Sequence, residues 1–459
     1  MATNLTPYNL PQSVFMLNLA SNALFDKTGE PDVLQAELAA FLAGTPGTDP
    51  SDQGPFYKFM NTPSPNYPCL TLPPENASQG DWGTVWGPVV FQAKNNQGAT
   101  NTMFVAQSPS LKIYVVAIAG TNPAGWTGAT LEDLDVAPAD MKAWPPTANL
   151  TPTPNQLVWN GFSSAPSPST PAIDAGTADG ISNLYTMQDP NSGQTLVQFL
   201  NSKSVTQTGQ TLVFTGHSLG GALAPTLAML LYPQAAQSPT PSDKNAPNPE
   251  ASGWANVYIL ASAGPTPGTP GFAGLFFTPP ASQQVGPYTP APTSAQPCDY
   301  CDWTFGYWNM NYANTYDVVP RAWWGLAGLI EQPTGSDVNY PSFFAGGAEL
   351  APKMGKLDLD PAGPDAYALM NDMMSKSGYD GGSTAYYTPC LMQSPFYGKW
   401  GSWGTDATQY PPAWTPATPP TLITYFADLI PWVLNAHLGQ YSYALLGYPS
   451  PTIDETSAT

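Results

Sequence analysis

The chain has 459 residues, of which 54 are proline and 41 glycine; at about a fifth of the sequence these fall short of the roughly 25–30% that marks low-complexity disorder, and a 42% hydrophobic content with 12% aromatic residues supplies a large core. Twelve Lys and Arg against 32 Asp and Glu give a net charge of −20 without any basic cluster. Such a chain is repelled by phosphate backbones and anionic lipid, which argues against nucleic-acid binding and for a neutral or cationic substrate.

No apolar run reaches the ~20 residues of a membrane helix, so no transmembrane segment is expected. Residues 1–5 lack the basic start and apolar stretch of a signal peptide. Few lysines, and Asn-x-Ser/Thr triplets at Asn4, Asn76 and Asn149, lean towards an extracellular protein whose signal peptide is absent from this sequence.

In chain order, two helices are expected within about residues 1–45, from the spacing of Val14, Phe15, Leu17, Leu19 and Leu24 and of Val33, Leu34, Leu38, Phe41 and Leu42. Strands follow at residues 89–93, 103–106 and 113–118. The last is apolar throughout, as in a strand buried on both faces. A Pro-rich acidic loop runs from Thr121 to about Pro154. Beyond it, strands at 157–159, 211–215 and 257–261 alternate with helical stretches at 184–200, broken at Pro190, and at 219–231. That alternation predicts βαβ crossovers and a largely parallel sheet. The C-terminal part is less regular, with one helix candidate at 422–438. No linker divides the chain, so one α/β domain over 1–459 is expected, with N-terminal helices and insertions around 265–310 and 325–420.

Cys69, Cys298, Cys301 and Cys390 allow three disulfide pairings, among which sequence does not choose. Cys298-Asp299-Tyr300-Cys301 has redox or zinc spacing but lies in a loop context. Structural disulfides are the favoured reading, with zinc and free thiols as alternatives.

Gly216-His217-Ser218-Leu219-Gly220 is a G-x-S-x-G pentapeptide, a pattern that chance also produces in a glycine-rich chain. Its position between a buried strand and an Ala-rich helix is that of a nucleophile elbow, a turn so sharp that the serine hydroxyl stands exposed. The helix N-terminus then faces the oxyanion, and the backbone N–H of Leu219 donates to it. The competing reading is an ordinary glycine-rich helix start. A serine nucleophile needs a base, and the chain has two histidines, His217 and His437. His217 adjoins Ser218 within the turn and cannot easily reach the serine oxygen, so His437 is the base by elimination. The acid that orients it falls between residues 218 and 437 in the chain order Ser…Asp…His; Asp317, Asp299, Asp302, Asp358 and Asp360 all qualify by position. Neither histidine belongs to an H-E-x-x-H motif, so no metal and no cofactor are expected.

Several blocks together resemble the class 3 (fungal-type) triacylglycerol lipase family of the α/β-hydrolase superfamily: Val115-Val116-Ala117-Ile118-Ala119-Gly120-Thr121, Val158-Trp159-Asn160-Gly161-Phe162, Val213 through Ala224 around Gly-His-Ser-Leu-Gly-Gly-Ala-Leu-Ala, Asp317-Val318-Val319-Pro320-Arg321, and His437 with Tyr441. They occur in the family's order as scattered blocks from about residue 85 to 445. The resemblance implies an α/β-hydrolase fold, mostly parallel with flanking helices, and a serine esterase or lipase with Asp317 as the acid and Thr121 in the oxyanion hole. Ala119 and Trp159 stand where the family usually has Arg and His, both at scaffold positions. The 219-residue span from Ser218 to His437 is longer than in compact members and implies insertions near the site. Arg321, the only arginine, is expected to pair structurally near the acid.

The expected substrate is a small-molecule or lipid ester, above all a neutral acylglycerol, with contact at a lipid interface and an oligomeric state that sequence leaves open. Phospholipase, polyester and feruloyl-type esterase activities share the chemistry, and an idle hydrolase-fold binding protein is the non-enzymatic rival. Two apolar segments, 272–277 with Phe276 and 322–330 with Trp323 and Trp324, follow sheet strands and either line the acyl pocket as substrate-binding residues or pack into the core. The family's usual lid position is here acidic and Pro-rich, with Glu132, Asp133, Asp135, Pro138 and Asp140.

Overall fold

A computed structural model describes residues 10–25, 27–43, 56, 59–60, 81–93, 98–122, 136–149, 156–202, 210–233, 254–276, 309–314, 317, 319–322, 391–396, 437 and 441. Among them, seven strands form one sheet: β1 (Gly83–Phe91), β2 (Asn101–Ser108), β3 (Ile113–Ile118), β8 (Thr211–His217), β9 (Asn256–Ser262), β10 (Met310–Asn314) and β11 (Met392–Phe396), side by side in that order. β1, β2 and β3 pair antiparallel, and every later pairing is parallel. Four short strands stand outside this sheet. β4 (Lys142–Ala143) pairs with β7 (Ala172–Ile173), and β5 (Thr147–Asn149) pairs with β6 (Gln156–Val158).

The central strands are apolar on both faces because both faces are covered. Alternate residues divide between two cores. Val116, Ile118, Leu212, Phe214 and Ile259 face α3 (Ala175–Thr186) and α5 (Leu219–Leu231). Val115, Ala117, Val213, Tyr258 and Leu260 face α1 (Leu10–Ser21). Each fully buried Leu, Val, Ile or Phe side chain contributes about 1.5–3 kcal/mol, so the two-faced sheet is where the stability concentrates. α2 (Pro31–Leu42) starts with proline at its first turn and buries Leu34, Leu38 and Leu42, one stripe at i, i+4, i+8, against β1.

β1 begins at Gly83, ahead of the apolar stretch at 89–93, and its pairing with β2 is irregular between Thr84 and Val89. This irregular part is held from outside the sheet: Trp86 Nε1 donates to the Gln194 carbonyl at 3.0 Å and the Gly87 N–H to Asp189 Oδ1 at 3.2 Å. The strand expected at 157–159 is β6, which belongs to a side ribbon rather than to a βαβ unit. α3 starts at Ala175, nine residues before the apolar spacing suggests, because Asp174 caps it. Asp174 Oδ1 accepts the Thr177 N–H at 2.6 Å and Oδ2 accepts the Thr177 hydroxyl at 2.9 Å. α4 (Leu196–Leu200) carries a capping box of Thr195 and Gln198, and α6 (Pro270–Ala273) is capped by Thr269.

Candidate active site

The C-terminal ends of β3, β8 and β10 converge on one edge of the sheet, the usual crevice of parallel α/β folds. At the end of β8, Ser218 has φ 59° and ψ −129°, a sparsely populated conformation for a non-glycine residue that costs about 1–3 kcal/mol. The surroundings hold it there. Its N–H donates to the Ser262 carbonyl at 3.1 Å, and its carbonyl accepts the Gly221 N–H at 2.7 Å. Ser218 stands in the cap position of the 13-residue α5 but its side chain makes no capping bond, so the hydroxyl is not spent on the helix. The turn also needs bare backbone: a Cβ on Gly216 would overlap the Gly220 carbonyl, and one on Gly220 would overlap the Ile118 carbonyl. Gly216→Ala is therefore expected to destabilise the fold by at least ~1–3 kcal/mol, the range of an overpacked core, read as a fall in denaturant midpoint at unchanged slope.

Beyond β3, the Gly120 N–H donates to Asn22 Oδ1 at 2.8 Å. A Cβ on Gly120 would stand 2.9 Å from Ser218 Cβ and 2.7 Å from the His217 carbonyl, so this segment passes directly beside the Ser218 turn and brings half-buried Thr121 to its flank. Asn122 anchors the other side, its Nδ2 donating to the carbonyls of Leu24 and Lys27 at 2.9 and 3.1 Å.

Asp317, 1% exposed, lies just beyond β10. Its Oδ2 accepts from His437 Nδ1 at 2.8 Å and from the Tyr441 hydroxyl at 2.9 Å, and its Oδ1 accepts the Val319 N–H at 3.0 Å. A buried carboxylate is tolerable only with such donors. With Nδ1 engaged, the other ring nitrogen of His437 is left for proton exchange. The His437 ring, 8% exposed, packs on His217 with centroids 4.7 Å apart. The Asp317–His437 pair thus comes within one ring of the residue preceding Ser218.

No protein-family model and no curated protein sequence matches the chain significantly. Among solved structures, M37 lipase aligns over 98% of this chain and 98% of its own, at 19% identity and a TM-score of 0.53. The fold is that of an α/β-hydrolase. A lipase from Rhizopus microsporus var. chinensis aligns over 70% of this chain and 72% of its own at 13% identity and TM-score 0.32, and a mutant form of MDLA from Penicillium cyclopium over 68% and 73% at 13% and 0.32.

Within this hydrolase fold the remaining sequence candidates are placed as follows. Phe276 is 4% exposed and meets Phe272 edge-on at 5.4 Å, inside the cluster that α3 and α5 cover. Trp159, at a scaffold position, donates from Nε1 to Ser182 Oγ at 2.7 Å. Trp323, Trp324, the four cysteines, Asp299, Asp302, Asp358, Asp360, the side chain of Arg321 and most of the helix candidate at 422–438 lie outside the described residues. Among the described residues no group of His, Cys, Asp and Glu is arranged to hold a metal ion, and no helix is long and apolar enough to cross a membrane.

Three polar residues of the site's support escaped the sequence reading: Ser262, Asn18 and Asn22. Two carry a signal in hindsight, since Asn18 interrupts the apolar run of α1 and Asn22 follows its end.

His217 is 3% exposed, and its Nδ1 lies 2.9 Å from Ser262 Oγ while Nε2 has no hydrogen-bond partner among the described residues. Burial pushes its pKa well below the ordinary 6.5; the neighbouring His437 acts in the same direction, and the His437 backbone opposes without closing a bond to Nε2. Above pH ~6.5 the ring is neutral folded or unfolded and adds no pH dependence. Below it the unfolded chain binds a proton that the folded one refuses, so stability is lost as pH falls from ~6.5 towards the folded value, by up to ~1.4 kcal/mol per pH unit. His217→Asn is expected to lose less stability than the parent between pH 7.5 and 5, in denaturant titrations at both pH values.

Proposed function

We propose that the chain is a serine-dependent carboxylic-ester hydrolase of the class 3 lipase type, acting on neutral acylglycerols. The observation that carries this reading is the buried Asp317–His437 pair at 2.8 Å, packed against the turn that holds Ser218 strained and its hydroxyl free of capping. Ser218 attacks the ester carbonyl. His437 takes the serine proton and returns it to the leaving alcohol, and Asp317 holds its Nδ1 proton in place. The backbone N–H of Leu219, at the start of α5, and that of Thr121 hold the oxyanion. An acyl-enzyme forms, and water activated by His437 releases the acid. The M37 structure is that of a lipase, which agrees with this chemistry. A net charge of −20 favours uncharged esters over phospholipid surfaces. Trp323 and Trp324, which follow Ala322 in the sequence, are the side chains we assign to acyl binding, and the enzyme works outside the cell.

The test is a panel of p-nitrophenyl and glycerol esters of increasing acyl length, assayed below and above their solubility limits, together with fluorophosphonate labelling. Hydrolysis that rises with chain length, with label on Ser218, is the expected result. Absence of both label and turnover would identify an idle hydrolase-fold binding protein.

A further inference from the structure

His217 takes no proton in this mechanism, yet it is more firmly built in than a turn residue needs to be. Its Nδ1 lies 2.9 Å from Ser262 Oγ, which also accepts from Asn18 Nδ2 at 3.3 Å. The ring is thereby tied to β9 and to α1 at once. Its centroid lies 4.7 Å from that of His437 with the two rings tilted by 42°, and it meets Tyr441 in an edge-type contact at 5.0 Å and 82°. We infer that His217 is a positioning residue for the base, its uncharged ring forming the wall on which the His437 imidazole rests. This inference rests on the serine-hydrolase reading.

The geometry requires such a wall. The bond from His437 Nδ1 to Asp317 Oδ2 fixes one atom of the imidazole and leaves the ring free to tilt about it. Tilting carries the opposite nitrogen away from Ser218, and displacements of about 1 Å cost up to ~10²-fold in rate. A ring 4.7 Å away and tilted by 42° limits that motion, whereas an aliphatic or amide side chain would not fill the same space. The wall must also be neutral. His437 becomes cationic when it takes the serine proton, and a neutral aromatic face beside a cation is favourable while a second cation repels. Among the described residues, the titratable groups that face His217 are His437, Tyr441 and, through both of them, Asp317. Among the described residues no acceptor stands in bonding geometry to the buried Nε2, so a second proton there is poorly held and the built site favours the uncharged ring.

His217→Asn and His217→Phe separate the ring from its anchor. Asn keeps a polar atom near Nδ1 for Ser262 and removes the wall; Phe keeps the wall and removes the bond. In the full-length protein, with active sites counted by fluorophosphonate titration on a soluble ester, His217→Asn is expected to lower kcat about 10- to 100-fold with KM within twofold. Water admitted beside the base should also move the acid-limb midpoint of the kcat/KM profile upward by several tenths of a pH unit. His217→Phe should recover at least half of the lost decades and the parental midpoint, whatever its melting temperature. Should Phe not be accommodated, Ser262→Ala, which loosens the ring without removing it, is expected to fall between parent and His217→Asn in kcat. Parental kcat and parental pH profile in His217→Asn, or a Phe variant no better than Asn, would overturn the inference. A parent that neither labels nor hydrolyses any ester would instead overturn the serine-hydrolase reading.

Discussion

Ser218→Ala is expected to reduce kcat on a soluble ester by about 10⁵- to 10⁶-fold, and His437→Ala by a similar factor, with the double variant no worse than either alone. The two side chains act as one unit, because a serine hydroxyl without a base is nearly inert and a base without the hydroxyl has nothing to deprotonate. The remaining activity over water would come from the backbone N–H groups of Leu219 and Thr121 that we assign to the oxyanion, which neither change removes. Thermal melts separate this loss from misfolding. Alanine suffers the same backbone strain as serine at φ 59°, so Ser218→Ala should melt near the parent. Ser218→Gly, which tolerates positive φ, should be equally inactive and more stable. Retention of more than a hundredth of parental kcat in Ser218→Ala would refute the assignment of the nucleophile.

Asp317→Asn should cost about 10⁴-fold in kcat, more than its near-identical shape implies. The carboxylate accepts three hydrogen bonds, from His437, Tyr441 and Val319. An amide turned to satisfy Val319 presents its NH₂ to His437 and Tyr441. The amide proton then donates to His437 Nδ1, which drives the ring proton to the nitrogen that should receive the serine's, and the base arrives already occupied. The buried Tyr441 hydroxyl loses its acceptor as well. Turnover per active site and fluorophosphonate labelling rate should fall together, and a labelling rate equal to the parent's would show that Asp317 does not orient the base.

Much of this arrangement was legible in the residues, and the exceptions have physical causes. β3, β8, β9 and α5 stand where their apolar patterns predict, because each is buried enough for hydrophobicity alone to mark it. β11 was invisible: Met392-Gln393-Ser394-Pro395-Phe396 carries a proline that argues against a central strand, and among the described residues it is the last strand of the sheet, where a missing N–H is tolerated. The start of α3 was missed because its first turns, Ala-Gly-Thr-Ala-Asp-Gly, are small and polar, and a capping aspartate rather than an apolar stripe begins the helix. Of the residues that the proposed function uses, Ser218 is suggested by its local turn and His437 by the scarcity of histidine. Asp317 followed only from the family resemblance, because an acid that meets its partner 120 residues away leaves no mark in local spacing. The contact of His217 with His437 was invisible for the same reason.

α1 holds the site's far wall, through Asn18 to Ser262 and Asn22 to Gly120, and that fixes when the site can exist during synthesis. The helix leaves the ribosome well ahead of the strands it packs on, and Ser262 follows Asn18 by 244 residues. At roughly 5–20 residues per second that separation is about 12–50 s of translation. Throughout that interval a helix buried on nearly every side has no sheet to bury it. The nascent chain must therefore keep this helix shielded from aggregation until β8 and β9 have emerged, which makes early α1 a natural client of holding chaperones and the segment where added charge should most improve yield at the expense of the finished fold.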